Sequence, residues 1–255
     1  MKKPPSPDVS VLVTEGAPDT SFSMRWFEPY KERLPTKAEL RQNLVEQLGA
    51  GIIARRMQGF SDEAGRPARV VGSASPGAIS GVWNGEMATS AGINNLDKTI
   101  EVMVRAQRQA VTYGVTQEEL DRQISLRLDA SKREAERGRT GTSVSLIETA
   151  LEYVAADVPF LSLQQSYELF QEVAPTIKLD EVNKALKARF VGEPDLIYRG
   201  AEQPKGGEAA IRAAYKKAMA EKIKPYKLDA VKPWPYTDFG TPGVVAEDRK
   251  STRLN

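Results

Sequence analysis

The residues that could carry chemistry are few, and histidine is not among them: the 255-residue chain has no histidine and no cysteine. Most catalytic zinc sites bind through imidazole, and acid–base chemistry near neutral pH uses it most often. A serine or cysteine nucleophile working with a histidine base is excluded, as are disulfides and thiolate metal sites. Four other features remain. Glu118, Glu119 and Asp121 cluster, but they fall in the first turn of an expected helix, where carboxylates suit the positive end of the helix dipole. A catalytic pair would need one of them desolvated. The basic run Lys132, Arg133, Arg137 and Arg139 could touch phosphate, yet Glu134 and Glu136 interrupt it and no aromatic residue interleaves. It reads as a solvated helical face. The stretch GSASPGAISGVWNG lacks the G-K-[ST] ending of a phosphate loop and joins strand to strand, so a hairpin turn is expected. Trp234 and Tyr236, held between prolines in KPWPYTDFG, either dock on a neighbouring domain or tether to their own. No residue receives a catalytic, metal-binding or cofactor-binding role, and substrate contacts are left unassigned.

The elements that would hold these groups follow from periodicity. Residues 9–14 and 21–27 alternate as strands, the first placing Val9, Val11 and Val13 on one face and the second Phe22, Met24 and Trp26. EGAPDT between them permits a hairpin. Thr36-x-x-Glu39 caps a helix whose stripe is Leu40, Leu44, Leu48 and Ile52, broadened by Val45 and Ile53; Arg55, Arg56 and Gln58 lie toward its end, and Gly59 offers a stop. Residues 69–93 read as two strands turning at Pro76-Gly77 and Gly81, with Trp83 and Met87 on one face and Asn84 and Glu86 on the other. A helix from Asn94 ends at Gly114, and a second box, Thr116-x-x-Glu119, opens the next, with Leu120, Ile124 and Leu128 as its stripe. Helical patterns continue through SLIETALEYVAA, SLQQSYELFQEVA and LDEVNKALKARF. The strand DLIYRG and an alanine-rich helix, EAAIRAAYKKAMAEKI, follow. Paired strands followed by helices predict an α+β fold, an antiparallel sheet packed on one side by helices.

Composition is that of a soluble globular protein, 40% apolar and 27% charged. No run is long enough to span a membrane. Net charge is +2, from 36 Lys and Arg against 34 Asp and Glu. The last eight residues hold Arg249, Lys250 and Arg253 against Asp248, so without them the balance is 33 against 33. The body is neutral, which argues against a nucleic-acid partner.

Four blocks, TSFSMRWFEP, LRQNLVEQLGAGIIARRM, YGVTQEELDRQISLRL and APTIKLDEVNKAL, resemble the pitrilysin/insulinase zinc metallopeptidases. Two patterns carry the likeness: Gly114-Val115-Thr116-x-x-Glu119-Leu120, and Thr176-Ile177-x-x-x-Glu181-Val182-Asn183. The resemblance implies the noncatalytic second domain of a longer peptidase, helping to enclose a substrate peptide. Zinc would belong to a separate catalytic domain bearing H-x-x-E-H, in the same chain or in a partner subunit. This chain lacks that motif, so no ligand or catalytic residue carries over. As a fragment it is expected not to be an enzyme. The residues leave the compartment open; the resemblance leans to the bacterial periplasm. A free-standing interaction module is the alternative from another class, expected to leave no broad apolar face uncovered.

The expected organisation is a proline-rich interdomain linker at 1–8, the α/β domain at 9–200, a helical extension at 201–225 and a linker at 226–247. PWPYTDFGTPGVVA resembles the stretch leading to a third domain in four-domain members. Residues 248–255, DRKSTRLN, match a widely used sequencing adapter translated as GAT-CGG-AAG-AGC-ACA-CGT-CTG-AAC, and are expected not to be protein. The underlying nucleotides decide this.

Overall fold

The computed structural model describes residues 8–29, 36–70, 74–79, 82–89, 91–138, 147, 151 and 161–228. Seven strands and six helices occur among them: β1 Val9–Val13, β2 Ser21–Pro29, α1 Lys37–Glu63, β3 Ala68–Val70, β4 Ala74–Ile79, β5 Val82–Ala88, β6 Ala91–Ile93, α2 Leu96–Tyr113, α3 Gln117–Gly138, α4 Leu163–Val173, α5 Leu179–Phe190, β7 Asp195–Gly200 and α6 Gly207–Ala220. Five strands form one sheet in the order β1-β7-β2-β5-β4, and β3 and β6 pair separately. The fold is α+β, as expected, but the sheet is mixed and not wholly antiparallel, because β1 runs parallel to β7.

Several local readings differ from the structure: the stretch 69–93, expected to hold two strands, contributes to four, β3 to β6. β1 and β2 make no hairpin, because β7 inserts between them, parallel to β1 and antiparallel to β2. The six residues of EGAPDT therefore span a gap one strand wide. Pro76 and Gly77 are not a turn but lie inside β4, opposite Gly85 and Asn84. Among the described residues only β5 pairs with β4, which makes β4 an edge strand of this sheet, where a missing proline amide costs little.

Alternation sorts the sheet into two faces. Phe22 and Met24 are fully buried and Trp26 nearly so. Trp26 meets Phe190 of α5 edge to face, with ring centroids 5.4 Å apart, which marks this as the helix-covered side. The expected stripe of α1 is buried at Val45, Leu48, Ile52 and Ile53, while Leu40 and Leu44 are only partly covered. The helix does not stop at Gly59. Phe60, one turn beyond Arg56, continues the buried stripe, and α1 runs to Glu63 before Gly65 adopts φ +78°.

Capping explains the starts of α2 and α3. The side chain of Asn95 accepts from the Lys98 amide at the head of α2, and Gly114, at φ +76°, ends that helix. Thr116 and Glu119 exchange both capping bonds at the head of α3. The charged second half of α3 is exposed except at Ala135 and, in part, Ser131. SLIETALEYVAA lies outside the described residues apart from Ile147 and Leu151, as does the chain beyond 228, with Trp234 and Tyr236.

After α6 the chain is strapped to the core. Arg108 donates to the carbonyls of Ala218 and Glu221, Gln109 to that of Lys224, and Tyr113 to that of Ile223. Tyr226 ends the strap, its ring edge-on to Phe60 at 5.7 Å.

Gly85 shows how closely sheet and helices meet. A Cβ there would stand 2.6 Å from the Arg189 carbonyl oxygen, a backbone atom that cannot swing aside. At Gly16 a Cβ would meet nothing within 4 Å, although φ is +75°. Gly85→Ala is expected to destabilise by about 2–3 kcal/mol and Gly16→Ala by about 1 kcal/mol. Urea unfolding of the two variants checks the order; equal losses would contradict the close approach.

Candidate functional site

The carboxylates singled out at the start of α3 separate once the chain folds. Glu118 and Asp121 face solvent, and Gln117 donates to Asp121 at 2.7 Å. Glu119 turns inward and is almost wholly buried against Arg56 of α1, with side-chain exposures of 4% and 1%. Nε and one terminal nitrogen of Arg56 donate to the two carboxylate oxygens, each at 2.7 Å, and the same terminal nitrogen reaches the Gly114 carbonyl at 3.0 Å. The Thr116 amide also donates to Glu119. Arg56 Cζ lies 4.6 Å from the centre of the Tyr226 ring, a cation–π contact. The remaining guanidinium nitrogen is buried without an acceptor.

The second pattern from the sequence also binds α1. Arg41 forks onto both oxygens of Glu181 at 3.0 and 2.8 Å and reaches the Thr176 carbonyl at 2.8 Å. Arg41 and, next, the Lys178 amide hold the Glu181 carboxyl below the usual carboxylate range. Two residues on, Asn183 accepts from the Val115 amide at 2.7 Å and donates to its carbonyl at 3.4 Å. A Cβ on Gly114 would stand 2.7 Å from the Asn183 side-chain oxygen. The two patterns, more than sixty residues apart in the chain, therefore touch one another. A third clamp joins Arg189 of α5 to Glu46 of α1 and to Glu28 of β2, all at 3.2–3.3 Å.

These groups serve the fold, and their geometry suits no metal. Among the described residues no three of His, Cys, Asp and Glu stand together as ligands. The best-buried carboxylate among the described residues, Glu119, already has both oxygens engaged by Arg56, and one of them also by the Thr116 amide and hydroxyl. Zinc does not fit the described residues.

The second face of the sheet, opposite the helix-covered side, is the candidate surface among the described residues, although Ser23 and Asn84 on it are buried. It is polar: Arg25 of β2 lies opposite Glu86 of β5, and its Nε and one terminal nitrogen both bond the same carboxylate oxygen, at 2.9 and 2.7 Å. Ser21 and Ser23 share that face with Arg25, and Phe27 and Leu12 stand on it 42% and 46% exposed. The glycine-rich stretch supplies β4 and β5 of this sheet. Lys132, Arg133 and Arg137 stay on the outer side of α3, and Arg139 lies outside the described residues.

Sequence reasoning missed the Arg56 clamp, although a signal was present. Arg56 occupies the i+4 stripe Leu48, Ile52, Arg56, Phe60, where an arginine needs a buried acid. The strap anchored by Tyr226 carried no comparable signal.

No protein-family model and no curated protein matches the sequence. Solved structures do. A protein described as a predicted insulinase family protease from Yersinia pestis superposes with a TM-score of 0.70 at 16% identity, over 84% of this chain and 47% of that one. The periplasmic protease PqqL from Escherichia coli gives 0.67 at 13% identity, over 91% and 26%. The ferredoxin protease FusC, solved with Arabidopsis ferredoxin, gives 0.58 at 15% identity, over 92% and 27%. The chain spans about half of the first and about a quarter of the other two, and it has the fold of a domain found within such proteases.

The depressed Glu181 carboxyl gives a pH test. Its pairing with Arg41 adds stability in full above the usual carboxylate range, and that stability is lost as pH falls through the range toward the folded-state value. The stability gap between the native chain and Glu181→Gln should therefore shrink on acidification, as urea titrations at stepped pH will show. A gap independent of pH would contradict the pairing.

Proposed function

We propose that this chain is a noncatalytic domain of a zinc-dependent metalloendopeptidase resembling the pitrilysin/insulinase enzymes, and that it packs against a catalytic domain carrying H-x-x-E-H. The observation that carries the reading is the commitment of both sequence patterns to the fold. Glu119 and Glu181 bind arginines of α1, and Asn183 binds the Val115 backbone of the other pattern, in a chain that has no histidine to ligate zinc. Likeness of fold to whole proteases supports the setting, and periplasmic PqqL supports an exported one.

In this reading the polar sheet face forms part of the wall of a substrate chamber. An enclosing wall must exclude bulk water and folded proteins while offering no reactive group of its own. A sheet face with its charges paired, as Arg25 and Glu86 are, meets that need. The substrate is an extended polypeptide, and the partner is the catalytic domain, in the same chain or in another subunit. No helix among the described residues is long and apolar enough to cross a membrane.

Two assays test this. The purified 255-residue chain, given zinc and a mixed peptide pool, should cleave nothing; chelator-sensitive hydrolysis would overturn the noncatalytic assignment. Added to the H-x-x-E-H domain encoded in the same genome region, the chain should bind it and raise its peptide turnover. Failure of both binding and stimulation would overturn the wall role.

A further inference from the structure

A pocket of about 410 Å³ lies where the N-terminus of α6 meets the N-terminus of α2 and the end of β7, away from the clamps on α1. α6 begins unusually. Its cap is Gly206, at φ +78°, with no side chain to accept from the first turn. The Gly207 amide is engaged by the Pro204 carbonyl and the Ala210 amide by the Gly206 carbonyl. The Glu208 and Ala209 amides between them have no acceptor among the described residues. Such amides, at the positive end of a helix dipole, favour an anion.

A second feature points the same way. Tyr198 of β7 is 7% exposed and lines this pocket, yet its hydroxyl has no hydrogen-bond partner among the described residues. The ring is buried, but the hydroxyl is not among the buried unpartnered atoms, so it keeps contact with solvent and is available to a ligand. Gly200, two residues on, leaves the hydroxyl space: a Cβ there would stand 2.9 Å from its oxygen. Lys205, with no ion-pair partner among the described residues, adds a positive charge at the rim, while Ile93 and Leu96 make an apolar wall. Asp97, in the first turn of α2, lines the same pocket and would repel a simple anion. A ligand that carries an ammonium beside its carboxylate answers both charges.

We propose that this pocket binds a free amino acid with an aliphatic side chain. Its carboxylate takes the Glu208 and Ala209 amides, Lys205 and the Tyr198 hydroxyl, and its ammonium faces Asp97. The same carboxylate chemistry could come from the C-terminus of a peptide, which lacks the adjacent ammonium. The inference does not depend on the peptidase reading.

Titration of the 255-residue chain with leucine, N-acetyl-leucine and leucinamide, followed by amide NMR, tests it. Leucine should shift the Glu208 and Ala209 amides saturably and bind more tightly than N-acetyl-leucine; leucinamide, lacking the carboxylate, should not shift them. Tyr198→Phe removes only an unpartnered hydroxyl, so it should leave the unfolding midpoint in place while weakening leucine binding about tenfold. Tighter binding of N-acetyl-leucine would overturn the free amino acid in favour of a peptide end. No shift with any probe, equal binding of leucinamide, or unchanged leucine affinity in Tyr198→Phe would overturn the site.

Discussion

The buried pair of Arg56 and Glu119 sets how the longest helix sits in this domain, and much else is arranged around it. Removing two charges from water costs several kcal/mol each, and only close geometry with further hydrogen bonds offsets that. Here the geometry is close: two 2.7 Å bonds, a carbonyl, a capping threonine and an aromatic ring surround the two groups. A partner missing from this arrangement would leave a charge stranded under the core. The pair therefore fixes the register of α1 against α3, and with it the junction at Gly114 where α2 turns into α3.

From that junction the constraint spreads. Gly114 and Val115 receive Asn183 from α5, and α5 returns to α1 through Glu181 with Arg41 and Arg189 with Glu46. Three ion pairs along α1 thus hold α3 and α5 to one helix, and Phe190 carries the arrangement to the sheet through Trp26. Groups held this way are unavailable to a substrate. The two sequence patterns mark internal joints of this domain. On the opposite face of the sheet Arg25 and Glu86 pair across β2 and β5.

Much of this was legible beforehand because local signals and tertiary packing agreed. The Phe22, Met24 and Trp26 alternation, the Thr116–Glu119 box and the Gly114 stop are short-range features, and each appears where periodicity placed it. What was hidden depends on contacts between distant segments. Nothing local in EGAPDT shows that a strand from residues 195–200 will insert between β1 and β2. Adjacent arginines at 55 and 56 look alike in composition, yet one is exposed and the other is among the most buried side chains. Glu119 was read as a helix-start carboxylate, which it is; its second role needed Arg56 to arrive from sixty-three residues away. The Tyr198 pocket was equally invisible, since it joins residues from β7, the head of α2 and the head of α6.

The central claim is that Glu119 belongs to the fold and not to a reaction. A double-mutant cycle measures it directly: urea unfolding of the native chain, Arg56→Met, Glu119→Leu and the pair together. Each single change should cost about 3–5 kcal/mol by stranding the other charge, and the double variant should cost much less than their sum. Single losses below about 1 kcal/mol, additive in the double variant, would contradict the claim and return Glu119 to the list of groups free for chemistry.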